Sequence, residues 1–231
     1  MVYTDGIDKL DYDLLYSLIP QDAVNVEYTS DVVADDVTYT ISPGDKLGLN
    51  SSMTNYGTVA GGVKWGSSNT YGIMTAGHMG DLGTTVYYNG TNIGNITSKK
   101  QSGSIDVALI SKGQTSDTIN LSKVVDGKSL DYNGGTWPEN TPITAYGATT
   151  GISTGKITDT DYANTFSGIN FTGLVYTTAT STDGDSGAPI ITPYSESYSM
   201  IGVNKGSVGG DLVYTDMQKI KDWFTLNLVS D

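Results

Sequence analysis

The chain contains one histidine, His78, at the end of the run Thr-Ala-Gly-His (75–78). Imidazole is the side chain best suited to accept a proton from a hydroxyl at neutral pH. A serine between glycines follows later, in Gly-Asp-Ser-Gly-Ala-Pro (184–189). Glycines let the backbone bend sharply there, so main-chain amides can converge on an oxyanion. We therefore predict Ser186 as nucleophile, His78 as general base, and the amides of Gly184 and Ser186 as oxyanion donors.

A serine–histidine pair also needs a carboxylate that orients the imidazole and stabilises its charged form. Of the 25 acidic residues, Asp106 fits best, because it opens the apolar run Asp-Val-Ala-Leu-Ile (106–110). Burial of a carboxylate is costly unless the carboxylate accepts hydrogen bonds, and an imidazole N–H would satisfy it. Asp106 is the predicted third member.

The elements that would carry these residues are strands. The chain has 29 glycines and 16 tyrosines among 231 residues, and only 16% of its residues are charged. Short apolar or alternating runs separated by Gly, Asn, Asp and Pro predict an all-β sandwich or barrel. The predicted strands cover residues 37–41, 57–65, 71–75, 85–88, 107–110, 143–146, 173–178, 189–192 and 199–203.

One helix is predicted at the end of the chain. Thr215 and Asp216 are plausible caps, and Met217, Ile220, Trp223 and Phe224 are spaced to bury one helical face. We expect this helix to cover about residues 216–227 and to pack against the last barrel.

Residues 1–37 differ from the rest of the chain. They hold nine acidic residues and one lysine, which gives −8 of the net charge of −13. Leucines at helical spacing from Leu10 to Leu18 predict a short helix before Pro20, and the alternation from Val24 to Tyr28 predicts a strand. This pattern predicts a separate α/β extension. A solvated, partly ordered segment and a specific role remain equally open.

Composition excludes several classes of function. All twelve basic residues are lysines, and the net charge of −13 would repel a nucleic-acid backbone. The chain lacks cysteine and has a single histidine, so we expect no metal, least of all zinc, and no cofactor. No stretch approaches 18 apolar residues, and no export signal is visible. The protein is either cytoplasmic or exported by a signal outside this sequence, and we expect the second.

The order of the three residues discriminates between folds. Serine triads run Ser, acid, His in α/β-hydrolases and acid, His, Ser in subtilisins, but His, acid, Ser in chymotrypsin-like barrels. Only the last order fits His78, Asp106 and Ser186. An α/β-hydrolase is also excluded because no histidine follows residue 78.

The three motifs together, at 75–78, 106–109 and 184–189, resemble the chymotrypsin-like (trypsin-fold) serine peptidases. The resemblance covers about residues 38–231. Ile-Ser-Pro-Gly-Asp (41–45), Gly-Ala-Thr-Thr-Gly (147–151) and Gly155 are similar to the compact bacterial branch that includes α-lytic protease and the streptogrisins.

This resemblance implies two six-stranded antiparallel β-barrels with a catalytic cleft between them. The first barrel would cover about residues 38–130 and the second about 140–214, with residues 133–138 as linker. Members of the branch are usually secreted or found at the cell surface, and they are made with an N-terminal pro-region. Residues 1–37 could be the end of such a region, so the pro-region is an expected partner of the peptidase domain.

The chain also departs from the pattern of the branch. An arginine normally pairs with the aspartate before the catalytic serine, here Asp185, but this chain contains no arginine. A lysine, backbone donors or a processed chain terminus could substitute, and an unpaired Asp185 would leave the oxyanion loop poorly formed. Latency is therefore one expectation. The usual disulfide beside the histidine is absent, with Met79 in the place of the common cysteine, so packing must replace it.

By the same resemblance, Thr180, Ser181, Asn204 and Lys205 are expected to line the pocket for the side chain before the scissile bond. No acidic residue occupies the pocket base, which disfavours a trypsin-like preference for Lys or Arg. A polar pocket could take an acidic or small polar side chain, although Asp183 near the entrance would repel an acidic one. The sequence thus predicts a serine endopeptidase acting on polypeptides. The alternative is a catalytically silent or adhesive binding protein on the same fold.

Overall fold

The structure is a computed structural model that describes residues 39–66, 70–112, 119–122, 124–132 and 135–229. The predicted acidic extension, with its helix and strand, lies outside these described residues. Within them the chain is all-β with one α-helix, as predicted. Across the same ranges, no helix is both long and apolar enough to cross a membrane.

The described residues in the first half of the chain form eleven strands. They are β1 (Tyr39–Ile41), β2 (Lys46–Gly48), β3 (Tyr56–Thr58), β4 (Gly61–Trp65), β5 (Thr70–Ala76), β6 (Thr85–Tyr88), β7 (Thr91–Ser102), β8 (Ile105–Lys112), β9 (Ile119–Leu121), β10 (Val124–Val125) and β11 (Lys128–Asp131).

The second half contributes seven more strands and the helix. They are β12 (Pro142–Gly147), β13 (Gly151–Phe166), β14 (Ile169–Thr180), β15 (Pro189–Tyr194), β16 (Ser197–Val208), β17 (Asp211–Asp216), α1 (Met217–Phe224) and β18 (Leu226–Leu228).

The first barrel is one antiparallel sheet in the order β18-β4-β5-β8-β7-β6-β2-β3. Strands β3 and β4 are separated only by Val59 and Ala60, so they form two arms of one bent segment. One arm pairs with β2 and the other with β5, so this segment brings the two edges of the sheet together. Counting the bent segment once and leaving out β18 gives the six strands expected for this barrel.

The second barrel closes by hydrogen bonding. Its sheet runs β10-β11-β16-β15-β12-β13-β14-β17, and β16 also pairs with β17, which joins β12 through β17 into a ring of six. Two parallel pairings depart from the expected antiparallel pattern. They join β1 to β9, and Leu130–Asp131 of β11 to Tyr198–Ser199 of β16.

Three apolar clusters explain why these runs became strands. One fills the first barrel, with Ile73, Ile96 and Ile110 among its members, and one fills the second, with Ile190 and Ile201 among its members. A third joins the two barrels: it combines first-barrel residues with second-barrel residues and residues of the helix. Burial of the apolar side chains in these three clusters holds both barrels and their interface together.

The C-terminal helix differs from the prediction in length and position. It begins at Met217, with Asp216 as its cap, but ends at Phe224 rather than near residue 227. Thr225 adopts a left-handed conformation there, and the chain continues as strand β18, which pairs with β4. Met217, Ile220 and Phe224 bury their side chains in the cluster between the barrels. The helix therefore packs at the interface between the barrels and not on the second barrel alone. The expectation for Trp223 was wrong, because its side chain is 56% exposed and lies against the Lys100 amine instead.

Two long strands, β7 and β13, were not predicted. Strand β13 is mostly exposed along its 16 residues, so it lacks the apolar alternation on which the sequence prediction relied. It pairs with β14 in a long hairpin with three register shifts. Cross-strand pairing, and not burial of one face, defines such a segment.

Candidate active site

The structure brings His78, Asp106 and Ser186 together. His78 Nδ1 lies 2.6 Å from Asp106 Oδ2, and His78 Nε2 lies 2.8 Å from Ser186 Oγ. With Nδ1 protonated, the imidazole donates to the carboxylate on one side and accepts from the serine hydroxyl on the other. These distances lie within the range for a general base in contact with its nucleophile.

His78 lies in a short 3₁₀ turn, Gly77–Met79, that directly follows β5. A Cβ at Gly77 would come within 2.7 Å of Asp106 Oδ1 and 2.8 Å of the Lys100 carbonyl. Glycine is therefore required at position 77 for the turn to approach β8 closely enough for the histidine to reach Asp106. Met79, beside it, is buried and packs its sulfur against Gly57.

Asp106 is fully buried at the start of β8. Its backbone amide donates to Thr215 Oγ1 at 3.1 Å, which ties β8 to β17 of the other barrel. Its Oδ2 atom contacts both His78 Nδ1 and the Lys205 amine, the latter at 3.1 Å. Among the described residues, Oδ1 has no hydrogen-bond partner. The carboxylate is thus held mainly through one oxygen.

Ser186, the predicted nucleophile, lies in a tight loop that needs its glycines. Gly184 and Gly187 both have φ of +93°, a conformation that side chains disfavour. A Cβ at Gly184 would lie 2.3 Å from Thr149 Oγ1, and one at Gly187 would lie 2.3 Å from the Thr58 carbonyl. Within the described part of the chain, neither the Gly184 nor the Ser186 amide has a backbone acceptor. Both amides can therefore serve an external oxyanion.

The carboxylate of Asp185 is hydrogen-bonded mainly by backbone amides, which take the place of the arginine that this chain lacks. The carboxylate is buried and accepts from the amides of Thr149 and Thr150 at 2.9 Å each and from the Thr182 amide at 3.0 Å. The Thr150 hydroxyl donates to it as well. Three amides and a hydroxyl provide the charge-assisted bonds that a guanidinium would otherwise supply. The oxyanion loop is therefore anchored without a basic side chain.

Thr58 is a supporting residue that the sequence analysis missed. This fully buried threonine of β3 donates its hydroxyl to the Gly184 carbonyl at 2.8 Å and accepts from the Ala148 amide at 3.0 Å. Its own amide donates to the Ser186 carbonyl at 2.8 Å. Thr58 thus fastens the first barrel to the nucleophile loop. A lone threonine inside a strand carries no sequence pattern that would have indicated this role.

Of the four residues expected to line the specificity pocket, Thr180, Ser181 and Asn204 remain near one another, and Lys205 does not. Asn204 donates to Ser181 Oγ at 2.8 Å and to the Asp185 carbonyl at 2.9 Å, and its Oδ1 accepts from the Gly206 amide. Thr180 is exposed, and its hydroxyl lies 3.1 Å from Ser153 Oγ. The Lys205 amine does not join them, because it points towards Asp106. A bulge in β16 between Asn204 and Gly206 places Lys205 on that side.

Asp216 stands next to the threonine that holds Asp106. Burial raises the pKa of the Asp216 carboxyl above its usual value, while the amides of Lys219 and Gln218 act in the opposite direction. The carboxylate accepts from these two amides as the cap of α1. The cap therefore fixes the start of the helix at the edge of the site.

No protein-family model matches the sequence, and no curated protein matches it significantly. Solved structures do match. Thermobifida fusca Protease A is 23% identical with a TM-score of 0.66, covering 84% of this chain and all of the protease. Cellulomonas bogoriensis chymotrypsin is 22% identical with a TM-score of 0.67 and the same coverage. A glutamic-acid-specific serine protease that uses a histidine triad in substrate binding is 17% identical with a TM-score of 0.65, covering 82% of this chain and all of the protease. The chain therefore has the double-barrel fold of the bacterial chymotrypsin-like serine proteases.

Proposed function

We propose that this protein is a serine endopeptidase that hydrolyses polypeptides through an acyl-enzyme intermediate. One observation supports this most strongly: His78 is hydrogen-bonded to Ser186 on one side and to a fully buried Asp106 on the other. A binding protein on this fold has no use for that arrangement. The double-barrel fold, shared with serine proteases, supports the same conclusion.

In the proposed mechanism, Ser186 Oγ attacks the peptide carbonyl while His78 Nε2 takes its proton. Asp106 stays ionised, fixes the tautomer of His78 and stabilises the imidazolium. The amides of Gly184 and Ser186 donate to the oxyanion, and His78 returns its proton to the leaving amine. Water then attacks the acyl-enzyme by the same proton transfers in reverse.

For specificity, we propose that Thr180 and Ser181 form the polar wall of the pocket and that Asn204 holds Ser181 in place. All hydrogen-bonding groups of Asn204 are engaged with the protein, so it acts on the substrate through Ser181. Such a pocket suits small polar or acidic side chains. An acidic preference here would have to work without a histidine triad, because His78 is the only histidine.

We further propose that the protein is secreted or displayed at the cell surface and is latent until residues 1–37 are removed. The acidic composition of this segment and the resemblance to proteases made with pro-regions support the proposal. Asp185 is anchored by internal amides, so release of a new N-terminus is not needed to form the oxyanion loop. Truncation of residues 1–37 should then raise the rate of hydrolysis, and an unchanged rate would contradict latency.

Labelling with a fluorophosphonate probe tests the enzyme itself. We expect label on the full chain or on the form lacking residues 1–37, and loss of label in Ser186→Ala and His78→Ala. Ser52→Ala, which removes an exposed serine hydroxyl, is the matched control and should label normally. Absence of label in both the full and the truncated chain would favour a binding protein. A peptide-library cleavage profile would then identify the residue preferred before the scissile bond.

A further inference from the structure

Lys205 is a buried cation in contact with the two residues behind the nucleophile. It is only 6% exposed. Its amine lies 3.1 Å from Asp106 Oδ2 and 3.5 Å from His78 Nδ1. It therefore shares with the imidazole the one carboxylate oxygen that His78 uses.

The surroundings hold the amine in this position. The rings of Phe166 and Phe171 lie over it, with centroids 4.7 and 5.2 Å away, so the hairpin β13–β14 shields it from solvent. These ring faces attract a cation and offer it no anion. Lys205 is also the extra residue of the bulge in β16, which directs its side chain towards β8.

Other titratable side chains on the neighbouring elements have different partners. They are Lys100 over the Trp223 ring, Lys219 on the Gly173 carbonyl, Asp161 near the same glycine, and Tyr214 against Gly202. Within the described residues, Asp106 and His78 are thus the groups that face the Lys205 amine.

We propose that Lys205 is a positioning residue that balances the charge of Asp106 and opposes formation of the His78 imidazolium, and that it thereby sets the lower pH limit of the reaction. The inference rests on the proposed function. In the resting state His78 is neutral, and a buried carboxylate needs an opposite charge, which Lys205 supplies. During the reaction His78 becomes a second cation beside the first, and the two share one carboxylate oxygen.

The sign of the effect follows from like-charge repulsion. A positive charge beside an imidazole makes formation of the imidazolium less favourable. Removal of the charge should let protons inactivate the enzyme at higher pH. We expect the acidic limb of kcat/KM to move up by about one pH unit, which is about a tenfold loss of rate on that limb.

The experiment compares neutral and charged replacements. Lys205→Met and Lys205→Gln remove the charge, and Lys205→Gln still offers a hydrogen-bond donor. Lys205→Arg keeps the charge. Lys64→Met is the control, because this lysine lies over the Tyr71 ring, at the end of β5 that is remote from His78. Both neutral variants should move the limb with KM and cleavage profile unchanged, while Lys205→Arg and Lys64→Met should leave it in place.

Two results would overturn the inference. One is an unmoved limb in both neutral variants. The other is a changed KM and cleavage profile in both neutral variants, which would return Lys205 to the specificity pocket. If neither neutral variant folds, the double variant Asp106→Asn/Lys205→Met should restore folding, because it removes both charges of the pair. Failure to restore folding would also overturn the inference.

A spectroscopic measurement separates this inference from the proposed function. Since the chain has one histidine, the imidazole N–H proton in an NMR spectrum is assigned without ambiguity. At fixed pH it should shift in Lys205→Met and not in Lys64→Met, whether or not the protein hydrolyses peptides. An unshifted signal would refute the contact. Absence of Ser186-dependent hydrolysis together with a shifted signal would refute the protease alone.

Discussion

Replacement of Thr58 by valine should damage both stability and the candidate site. The change keeps the shape of the side chain but removes the hydroxyl that donates to the Gly184 carbonyl and accepts from the Ala148 amide. Both partners lose their hydrogen bond in a partly buried setting. An unsatisfied group that is fully buried costs about 1–3 kcal/mol, and water can reach these two in part, so we expect a total loss of about 1–3 kcal/mol in unfolding free energy.

The effect on the site follows from the place of Thr58. Its hydroxyl anchors the segment that carries the Gly184 amide, and loss of one oxyanion donor lowers kcat by about 10²–10³. Thr58→Val should loosen the Gly184 amide without removing it, so only part of this factor should be lost. We therefore expect the rate constant of fluorophosphonate labelling to fall about 10- to 100-fold. Urea unfolding and labelling under native conditions measure the two effects separately.

Thr177→Val is the matched control. Thr177 is also fully buried, donates its hydroxyl to the Leu212 carbonyl and accepts from the Ala179 amide, but it lies inside the second barrel. Its hydrogen bonds are more deeply buried than those of Thr58, so Thr177→Val should lose at least as much stability and still label at the normal rate. If Thr58→Val labels no more slowly than Thr177→Val, Thr58 does not support the oxyanion loop and the reasoning is wrong.

Three further outcomes are expected. Gly184→Ala should abolish labelling while circular dichroism stays unchanged, because φ of +93° and the nearby Thr149 leave no room for a Cβ, and normal labelling would contradict this. Asp216→Ala should lower unfolding free energy by about 1 kcal/mol through loss of the helix cap, seen as a lower urea midpoint; an equal or higher midpoint would count against the cap. Burial, and secondly the negative charge of Asp45, raise the pKa of Tyr88 from its usual 10.0 to about 12. As the pH rises, the unfolded chain therefore loses the Tyr88 proton before the folded chain does. The free energy of unfolding should fall as the pH rises from 10 to 12. Tyr88→Phe should reduce that alkaline loss, and an identical pH dependence would show that Tyr88 does not contribute.

The sequence was sufficient where local pattern and chemistry coincide. The lone histidine, the glycines around Ser186 and the apolar run after Asp106 each limit the candidates for one predicted role. The structure brings the side chains of His78, Asp106 and Ser186 together. The all-β class followed from short runs and turn residues. Six-stranded barrels came from resemblance and not from periodicity.

The sequence was insufficient where position depends on distant neighbours. Lys205 was expected in the pocket, but a bulge directs it to Asp106, and a single sequence does not show where a register shift falls. The partners of Asp185 were left open, because backbone amides carry no residue-specific pattern. Exposed strands such as β13 escaped prediction, because pairing with a neighbour and not burial defines them.

Strand β18 has a consequence for the time course of folding. Leu226–Leu228 pairs with Val63–Trp65, so the outer edge of the first barrel stays bare until residues 226–228 have been made. A nascent chain would present β4 as an open edge, a surface that invites pairing with other chains. Contacts so distant in sequence are slow to form, because loop closure is unfavourable before the contact stabilises it. Protection of the first barrel therefore follows synthesis of the second, and a chain released before residue 228 would be prone to aggregate through that edge.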